Sequence, residues 1–569
     1  MEPQDQGSGA NEGRLDLPNP EFIVDVPHHC TTMRFDPMKT YLKTGEPFVL
    51  LTGAALALVL LMTMTLIGVV MTNGLGYFWP RELVRYELKD GSVALGQLVA
   101  SEKNPDTGGH RLQLKVSNRD VFGQDFRWID EQEISSRSIP KNAVLIERKE
   151  HGNYVGFLKN VQAEGLVSET TGDPWELLTR ARSALQPRVE AIAELKEKMS
   201  DLNHEAEQLR LKILKLEYNG RQQNAASIGE LTATRENILT RFDALNEQMS
   251  ARQTELAAFK AELVDAGGGL KEVELTEIVR VQRPNSMSLA AKIAAYAERI
   301  RELLLDDPRE SNTEGGLFPA IFGTVMMVLL MSVFSLPFGV IAAVYLREYA
   351  KDGLLTRMVR IAVNNLAGVP SIVYGVFGLG FFVYGIGGSL DQLFFPERLP
   401  TPTFGTGGIL WSSLTLALLT VPVVIIATEE SLASIPRGIR EGSLALGATK
   451  FQTLTRILLP MATPGIMTGL ILSMARAAGE VAPLMIVGVV KLAPTLPFDG
   501  YFPFFHMDRK FMHLGFHIYD VGFQSPNVEA AKPMVYVTTM LLIAIVIVAS
   551  SLAIRFRTRM RKRYVTSNF

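Results

Sequence analysis

Residues 441–460 read EGSLALGATKFQTLTRILLP and join two long apolar runs of the chain. Helix-forming residues precede Gly447, and more of them separate that glycine from Pro460. The pattern predicts two short helices with a turn between them. A helix pair on a membrane face can fill a groove of a soluble partner and transmit motion into the spans behind it. A plain connecting loop is an equal alternative on the residues alone.

The composition is that of a membrane protein with a polar part. The 569 residues are 47% hydrophobic and their mean hydropathy is +0.15, which is more apolar than a soluble protein of mixed fold. A net charge of -2 argues against a nucleic-acid partner, which requires a basic surface. The one cysteine, Cys30, cannot form an intramolecular disulfide, so packing alone must hold any extracytoplasmic part.

Six apolar runs are long enough to cross a bilayer, for which a helix needs about 20 residues. They cover residues 48–71, 319–345, 366–386, 408–428, 465–490 and 534–554. The first run follows a polar stretch, residues 1–47, that is far longer than the charged start of a secretory signal. We therefore expect the first run to stay in the protein as an uncleaved anchor.

Basic residues near the ends of these runs predict the orientation, because cytoplasmic loops are rich in lysine and arginine. The basic segments contain Arg34, Lys39, Lys43, Arg347, Lys351, Arg357, Arg360, Arg437, Arg440, Lys450, Arg456, Arg555, Arg557, Arg559, Arg561, Lys562 and Arg563. These segments, and with them both termini, are predicted to be cytoplasmic. The long segment after the first run and residues 491–532 are then extracytoplasmic.

The polar insert between the first two runs contains two kinds of sequence pattern. Residues 81–165 contain short alternating runs and a hairpin signal at Asp90-Gly91, which predict a small β module. Residues 180–265 carry two heptad runs separated by Asn219-Gly220, which predict an antiparallel coiled-coil hairpin. The heptad positions are Ile192, Leu195, Met199, Leu202, Ala206, Leu209, Ile213 and Leu216, then Ile228, Leu231, Ile238, Phe242, Leu245, Met249, Leu256, Phe259 and Leu263.

The insert has no catalytic spacing. His110, His151 and His204 are scattered without paired carboxylates or cysteines, so no metal site is predicted from them. Arg235 and Arg252 fall on the heptad seam, where they either set the register or mark a shift in it. We interpret the insert as a spacer or docking arm.

Residues 441–460 resemble the EAA coupling loop of ABC importer permeases. The matching positions are Glu441, Gly447, Ile457, Leu459 and Pro460, and Gly442 and Ser443 stand where the family has two alanines. The resemblance implies that the loop docks into a cleft of a separate ATPase subunit. The sequence contains no G-x-x-x-x-G-K-[ST] phosphate loop, so we expect ATP and Mg to be used by that partner and no cofactor to be bound by this chain.

The fifth run contains Arg476 and Glu480, whose spacing places them on one face of a helix. Ionisable residues inside a span are costly, and they pair with each other or face a polar path. The residues alone leave both interpretations open: a self-neutralising pair, or an anion contact in which the guanidinium offers a planar fork of donors to phosphate oxygens.

The stretch from about residue 322 to 554 resembles the PstA branch of phosphate permeases. The similarity is greatest in LAGVPSIVYG (366–375), PGIMTG (464–469) and ARAAGEVAPL (475–484). It implies that Arg476 and Glu480 take part in phosphate movement. Short members of the family lack the insert, so the chain looks like an extended variant.

The resemblance implies a mainly α, polytopic membrane protein with six transmembrane helices of the type I ABC importer permease fold. It would translocate phosphate across the bacterial inner membrane by alternating access, without catalysing bond chemistry. The implied partners are membrane lipid, a second permease of the PstC type, an ATPase dimer of the PstB type and a periplasmic phosphate-binding protein of the PstS type. Two alternatives stay open: a permease for sulfate or molybdate, and a membrane sensor or scaffold that uses the coiled coil.

The chain is accordingly divided into five parts. They are a mostly disordered cytoplasmic tail (1–47), the first transmembrane helix (48–71), the periplasmic insert (72–318), the permease core (319–554) with the coupling loop 441–460, and a basic cytoplasmic tail (555–569).

Other spans and loops give weaker signals. Asn364, Asn365 and Pro370 can break the third helix and expose backbone groups to a path, although a helix start near the cytoplasmic end explains them as well. Gly465 and Gly469 permit close approach of helices. The remaining signals are His506, His513 and His517, which lie in the last extracytoplasmic loop and are expected to face solvent or a receptor, not a metal.

Overall fold

The computed structural model describes residues 46–104, 108–166, 172–525 and 527–565. Predictions about the N-terminal tail, including Cys30 and Arg34, lie outside these residues. The chain divides into two units, residues 1–67 and 68–569. The described part of the first unit belongs to helix α1, Glu46–Tyr77, and its side chains from Phe48 to Ile67 are exposed. An apolar helix with no polar face is suited to a lipid surround.

Helices and strands alternate in the insert and helices follow it. The further helices are α2 (Arg119–Phe122), α3 (Pro174–Tyr218), α4 (Ala225–Ala257), α5 (Leu289–Leu305), α6 (Phe318–Val344), α7 (Leu354–Leu366), α8 (Ser371–Phe377), α9 (Gly388–Phe394), α10 (Ile409–Ala433), α11 (Arg437–Ala445), α12 (Lys450–Thr453), α13 (Leu459–Gly479), α14 (Ala482–Val487), α15 (Leu514–Tyr519) and α16 (Val528–Val565). The strands are β1 (Leu83–Leu88), β2 (Val93–Lys103), β3 (His110–Lys115), β4 (Phe126–Asp130), β5 (Ile134–Ser138), β6 (Ala143–Arg148), β7 (Asn153–Gln162), β8 (Lys260–Val264), β9 (Leu270–Glu274), β10 (Ile278–Gln282), β11 (Pro308–Arg309) and β12 (Glu314–Gly315).

Six helical segments in the described residues are long and apolar enough to cross a membrane. They are Phe48–Tyr77, Phe318–Tyr349, Ser371–Phe394, Ile409–Ala433, Lys450–Gly479 and Val528–Lys562. The third begins later than predicted, because its predicted start at Leu366 is the last residue of the separate amphipathic helix α7, and a new helix begins at Ser371, directly after Pro370. The fifth begins and ends earlier than predicted, because its first turns are amphipathic and its helix breaks at Glu480.

The strands of the insert form two five-stranded antiparallel sheets. The first has the order β4-β3-β2-β1-β5 and the second has the order β10-β6-β7-β8-β9. The second sheet takes strands from both sides of α3 and α4, so the β structure is not confined to residues 81–165. Phe259 lies beyond the end of α4 and Leu263 lies in β8. Residues four apart, such as Phe259 and Leu263, fit both a heptad and a strand. Pairing of β8 with β7 places Leu263 in a strand.

Helices α3 and α4 pack against each other in opposite directions. The Arg188 guanidinium near the start of α3 contacts Glu255 near the end of α4 at 2.8 Å. Further along, Leu202 and Ala206 share a buried cluster with Ile238. Arg252 is exposed and Arg235 is half-buried.

The most buried span is α10, which packs between α6 and α13. Glycines permit this packing: a Cβ on Gly339 would lie 2.6 Å from Val424 Cβ, and one on Gly469 would lie 2.7 Å from Ala427 Cβ. The prediction of close helix approach at Gly469 is confirmed. Because the hydrophobic effect does not drive helix association in lipid, close van der Waals packing of the backbones stabilises these helix pairs.

The last loop before α16 is anchored in the protein. His513 and His517 are 1% and 2% exposed, so the prediction that they face solvent or a receptor is wrong. His517 Nε2 lies 3.0 Å from the Asn312 carbonyl oxygen and Nδ1 lies 3.1 Å from Thr538 Oγ1. These partners lie far away in the chain, so the loop sequence gave no sign of them.

Replacing Gly339 with valine should lower the free energy of unfolding by about 1–3 kcal/mol, because the new side chain collides with α10. The measurement is thermal unfolding of the detergent-solubilised chain. The matched control is Gly380→Val, since a Cβ there meets nothing within 4 Å. Equal loss in both variants would contradict the close approach.

Acid should destabilise the last loop through its buried histidines. Burial lowers the pKa of His513 to about 3 and that of His517 to about 4, against about 6.5 in an unfolded chain. The unfolded state therefore binds more protons, and stability that is present above about pH 6.5 is lost as the pH falls toward these values. His517→Gln should flatten this pH dependence of the unfolding temperature, whereas His110→Gln, on an exposed strand end, should leave it unchanged.

Candidate functional site

Helix α11 and the residues up to Pro460 form one candidate site, which we call the coupling segment. Glu441, Gly442 and Gly447 are exposed along it. So are three large apolar side chains, with exposures of 43% for Leu444, 91% for Leu446 and 66% for Phe451. Exposed apolar groups beside charged ones are typical of a surface that binds another protein.

The turn of the coupling segment depends on two local features. Gly447 has φ +87°, a left-handed conformation that other residues adopt only with strain. Next, Thr449 Oγ1 accepts a hydrogen bond from Gln452 N, and Gln452 Oε1 accepts one from Thr449 N at 2.9 Å. This capping box fixes the start of α12.

Ser443 is the buried residue of α11. Its Oγ lies 2.9 Å from Thr453 Oγ1 on α12, so one hydroxyl pair joins the two helices of the segment. A buried hydroxyl that lost its partner would cost about 1–3 kcal/mol. Serine stands here in place of the family's alanine, and its hydroxyl forms a contact that an alanine could not form.

Arg440 connects α11 to the ends of two spans, α6 and α10. Its guanidinium lies 3.1 Å from Glu348 Oε1, just after α6, and donates to the Leu432 carbonyl near the end of α10. Sequence reasoning used Arg440 for orientation only and missed this role. The partners are far apart in the chain, and the sequence offered no signal for the pairing.

The second helix of the coupling segment is not short. Ile457, Leu459 and Pro460 are half-buried and lie in one helical segment that runs from Lys450 to Gly479. A wider π turn at Leu454–Leu458 precedes Pro460, whose ring nitrogen cannot donate to the preceding turn. The helix after the turn is therefore continuous with the fifth span.

Arg476 and Glu480 form the second candidate site. Helix α13 ends at Gly479, and Glu480 has extended backbone angles, so the two residues do not share one helical face as predicted. Arg476 Nε still lies 3.5 Å from Glu480 Oε1, with side chains 36% and 20% exposed. Within the described residues no hydrogen bond to the Arg476 guanidinium is found, so its remaining N–H groups are available to an anion.

Two helix breaks lie at the ends of spans, one before the third span and one after the fifth. The first is the segment between α7 and α8, residues 367–370. Pro370 caps the start of the third span at Ser371, which fits the alternative of a helix start and not a break inside the third helix. The second break is at Glu480 and Val481, before α14. The helices after the breaks touch, since a Cβ on Gly375 would lie 2.7 Å from Pro483 Cα. Broken helices expose backbone groups only where a cavity or protein satisfies them.

Comparison with known proteins places these sites in a family. The model of the binding-protein-dependent transport system inner membrane component matches residues 335–562. YqgH of Bacillus subtilis, a probable ABC transporter permease, is 33% identical over 195 residues, 34% of this chain and 59% of that protein. The phosphate transport system permease protein PstA 1 of Mycobacterium tuberculosis is 38% identical over 173 residues, 30% of this chain and 51% of that protein. The chain thus spans between half and three fifths of these two relatives.

A longer match decides the family. YqgI of Bacillus subtilis, a probable ABC transporter permease, is 30% identical over 223 residues, which are 38% of this chain and 70% of that protein. The chain belongs to the family of binding-protein-dependent inner-membrane transport components. It is therefore a multi-pass inner-membrane protein, and both candidate sites lie within the part that the family model matches.

Replacing Gly447 with alanine should loosen the turn of the coupling segment, because an L-residue in the left-handed region costs about 1–2 kcal/mol. Hydrogen exchange of amides 446–453, measured by mass spectrometry, should speed up about five- to thirtyfold. Gly438→Ala on the preceding helix α11 is the control, because a Cβ meets nothing at either glycine and, of the two, only Gly447 has a positive φ. Similar exchange in both variants would refute a conformational role for Gly447.

Proposed function

We propose that this permease translocates inorganic phosphate by alternating access. The observation that carries the proposal is the Arg476 guanidinium beside a helix break, with most of its donors unused and Glu480 at 3.5 Å. Charged groups inside spans mark ion paths, and broken helices mark substrate sites in transporters. The relative PstA 1 is a phosphate permease by name, which supports the same cargo.

The mechanism needs a separate motor. We propose that an ATPase dimer of the PstB type uses ATP and Mg and binds the exposed apolar side chains of the coupling segment. Its closure would move α11, which Arg440 ties to the ends of α6 and α10, and α12, which continues into the fifth span. This chain catalyses no bond chemistry in the scheme and binds no cofactor.

The remaining partners follow from the same scheme. A second permease of the PstC type completes the path, and a periplasmic phosphate-binding protein of the PstS type delivers the anion. Both termini are cytoplasmic and the insert is periplasmic, in line with the basic residues that flank the spans.

We propose that α3 and α4 form a coiled-coil arm over the periplasmic side. Asp201 of α3 accepts a hydrogen bond from the Tyr501 hydroxyl, and His204 stacks on the Tyr501 ring at 3.9 Å between centroids. The arm also packs against the turn Pro396–Arg398. It thus touches two loops that connect spans, which suits an arm that docks beside the entrance of the path.

Replacing Arg476 with alanine should reduce uptake of labelled phosphate at least about tenfold while leaving the amount of assembled protein unchanged, because the anion loses a charged donor. Arg476→Lys should keep part of the uptake, since lysine retains the charge without the planar fork. The measurement uses cells that lack their own phosphate importer.

Arg357→Ala is the control, because Arg357 is an exposed residue of α7. Normal phosphate uptake by the Arg476→Ala variant would contradict the proposal that Arg476 lies on the anion path. Sulfate and molybdate are added as competitors, and stronger inhibition by either one than by unlabelled phosphate would assign the cargo to that oxyanion.

A further inference from the structure

A large cavity lies inside the insert, away from both sites described above. Its volume is about 890 Å3, and it opens between the second sheet, α3 and the segment that begins with β11 and leads toward α6. Four cations line it: Arg119, Lys149, Arg182 and Arg309. The carboxylates in its lining are Glu150 and Glu310, so positive charge is in excess.

Two of the four cations are already neutralised. Arg119 Nη2 lies 2.9 Å from Glu310 Oε1, and Arg309 Nη1 lies 2.5 Å from Glu302 Oε1. Both pairs fix the segment before α6, because Arg309, Glu310 and Glu302 lie on it or beside it. These pairs shape the wall of the cavity and leave little net charge of their own.

The other two cations, Lys149 and Arg182, form no ion pair with any of the described residues. Arg182 donates from Nη2 to the Val279 carbonyl at 2.7 Å, a neutral acceptor that leaves its charge in place. For Lys149 the described residues provide no ion pair and no side-chain hydrogen bond. Desolvation lowers the pKa of both groups. Lys196 adds to the effect at Lys149 and Arg280 at Arg182, while the carboxylates of Glu277 and Glu298 oppose it at Lys149 and Arg182, respectively.

Arg182 is half-buried and Lys149 is exposed, and both line the cavity, so an anion that enters it can meet both positive charges. Hydroxyl donors also line the cavity, at Thr276 and Ser311. Guanidinium, ammonium and hydroxyl groups together are the donor set that recognises phosphate oxygens. The volume is larger than one orthophosphate needs, so a phosphate ester or a diphosphate also fits.

We propose that this cavity binds an anion carrying a phosphate group, with Lys149 and Arg182 as its charged ligands. The bound anion would join α3 to the segment before α6, so that its presence is communicated from the insert to the second span. The inference rests on the side chains of the insert and is independent of the cargo proposed for Arg476.

The experiment measures equilibrium binding of radiolabelled orthophosphate, pyrophosphate and glycerol 3-phosphate to the full chain in nanodiscs. All samples carry Arg476→Ala, which removes the proposed path site. We expect saturable binding of at least one probe. Lys149→Ala and Arg182→Ala should each weaken it at least about tenfold, since each removes one charged contact. Binding should also weaken with added salt.

The controls separate a lost ligand from a lost fold. Lys149→Arg keeps the charge and should bind nearly as well as the parent, and Lys159→Ala removes an exposed lysine of β7 that does not line the cavity and should change nothing. Preference for orthophosphate would identify the cargo itself as the ligand, and preference for the larger probes would identify a phosphate ester or diphosphate. No saturable binding of any probe, or equal binding by parent and Lys149→Ala, would overturn the proposal.

Discussion

The close approach of α10 to α6 and α13 is the contact on which the rest of the bundle depends. Gly339 and Gly469 bring the backbones together where any side chain would collide with Val424 or Ala427. In lipid the hydrophobic effect does not drive helices together, so van der Waals packing between them has to stabilise the bundle. The cytoplasmic end of α10 then accepts Arg440 from the coupling segment. Motion of that segment therefore reaches the most buried helix of the protein directly.

The insert is joined to the bundle through buried polar contacts. Asn312, which precedes α6, donates from Nδ2 to the Lys491 carbonyl at 2.8 Å, and its own carbonyl lies 3.0 Å from His517 Nε2. Buried polar groups hold a unique arrangement only while all partners are present. The insert, the last loop and α16 thus form one connected structure, and the cationic cavity lies beside the same segment before α6.

Sequence reasoning succeeded where a pattern is local. A run of about 20 apolar residues can satisfy its backbone in lipid only as a helix, which is why the number of spans was correct. The pattern from Glu441 to Pro460 is local too, and the turn that it predicted is present at Gly447. Sequence reasoning failed at Leu263, because its spacing fits both a heptad and a β-strand. It also failed at Glu480, because the break of that helix depends on residues that are distant in the chain. The burial of His513 and His517 was missed because their partners come from distant segments.

The sequence by itself determined the six apolar helices, their family and the residue types at both candidate sites, because hydrophobicity and motif spacing are properties of neighbouring residues. Only the tertiary structure decided that Arg440 pairs with Glu348, that Ser443 meets Thr453 and that the strands after α4 complete a sheet begun before α3. The same holds for the meeting of Lys149 and Arg182 in one cavity. These features depend on which distant groups come within hydrogen-bond or Coulomb range, and chain order alone does not specify that distance.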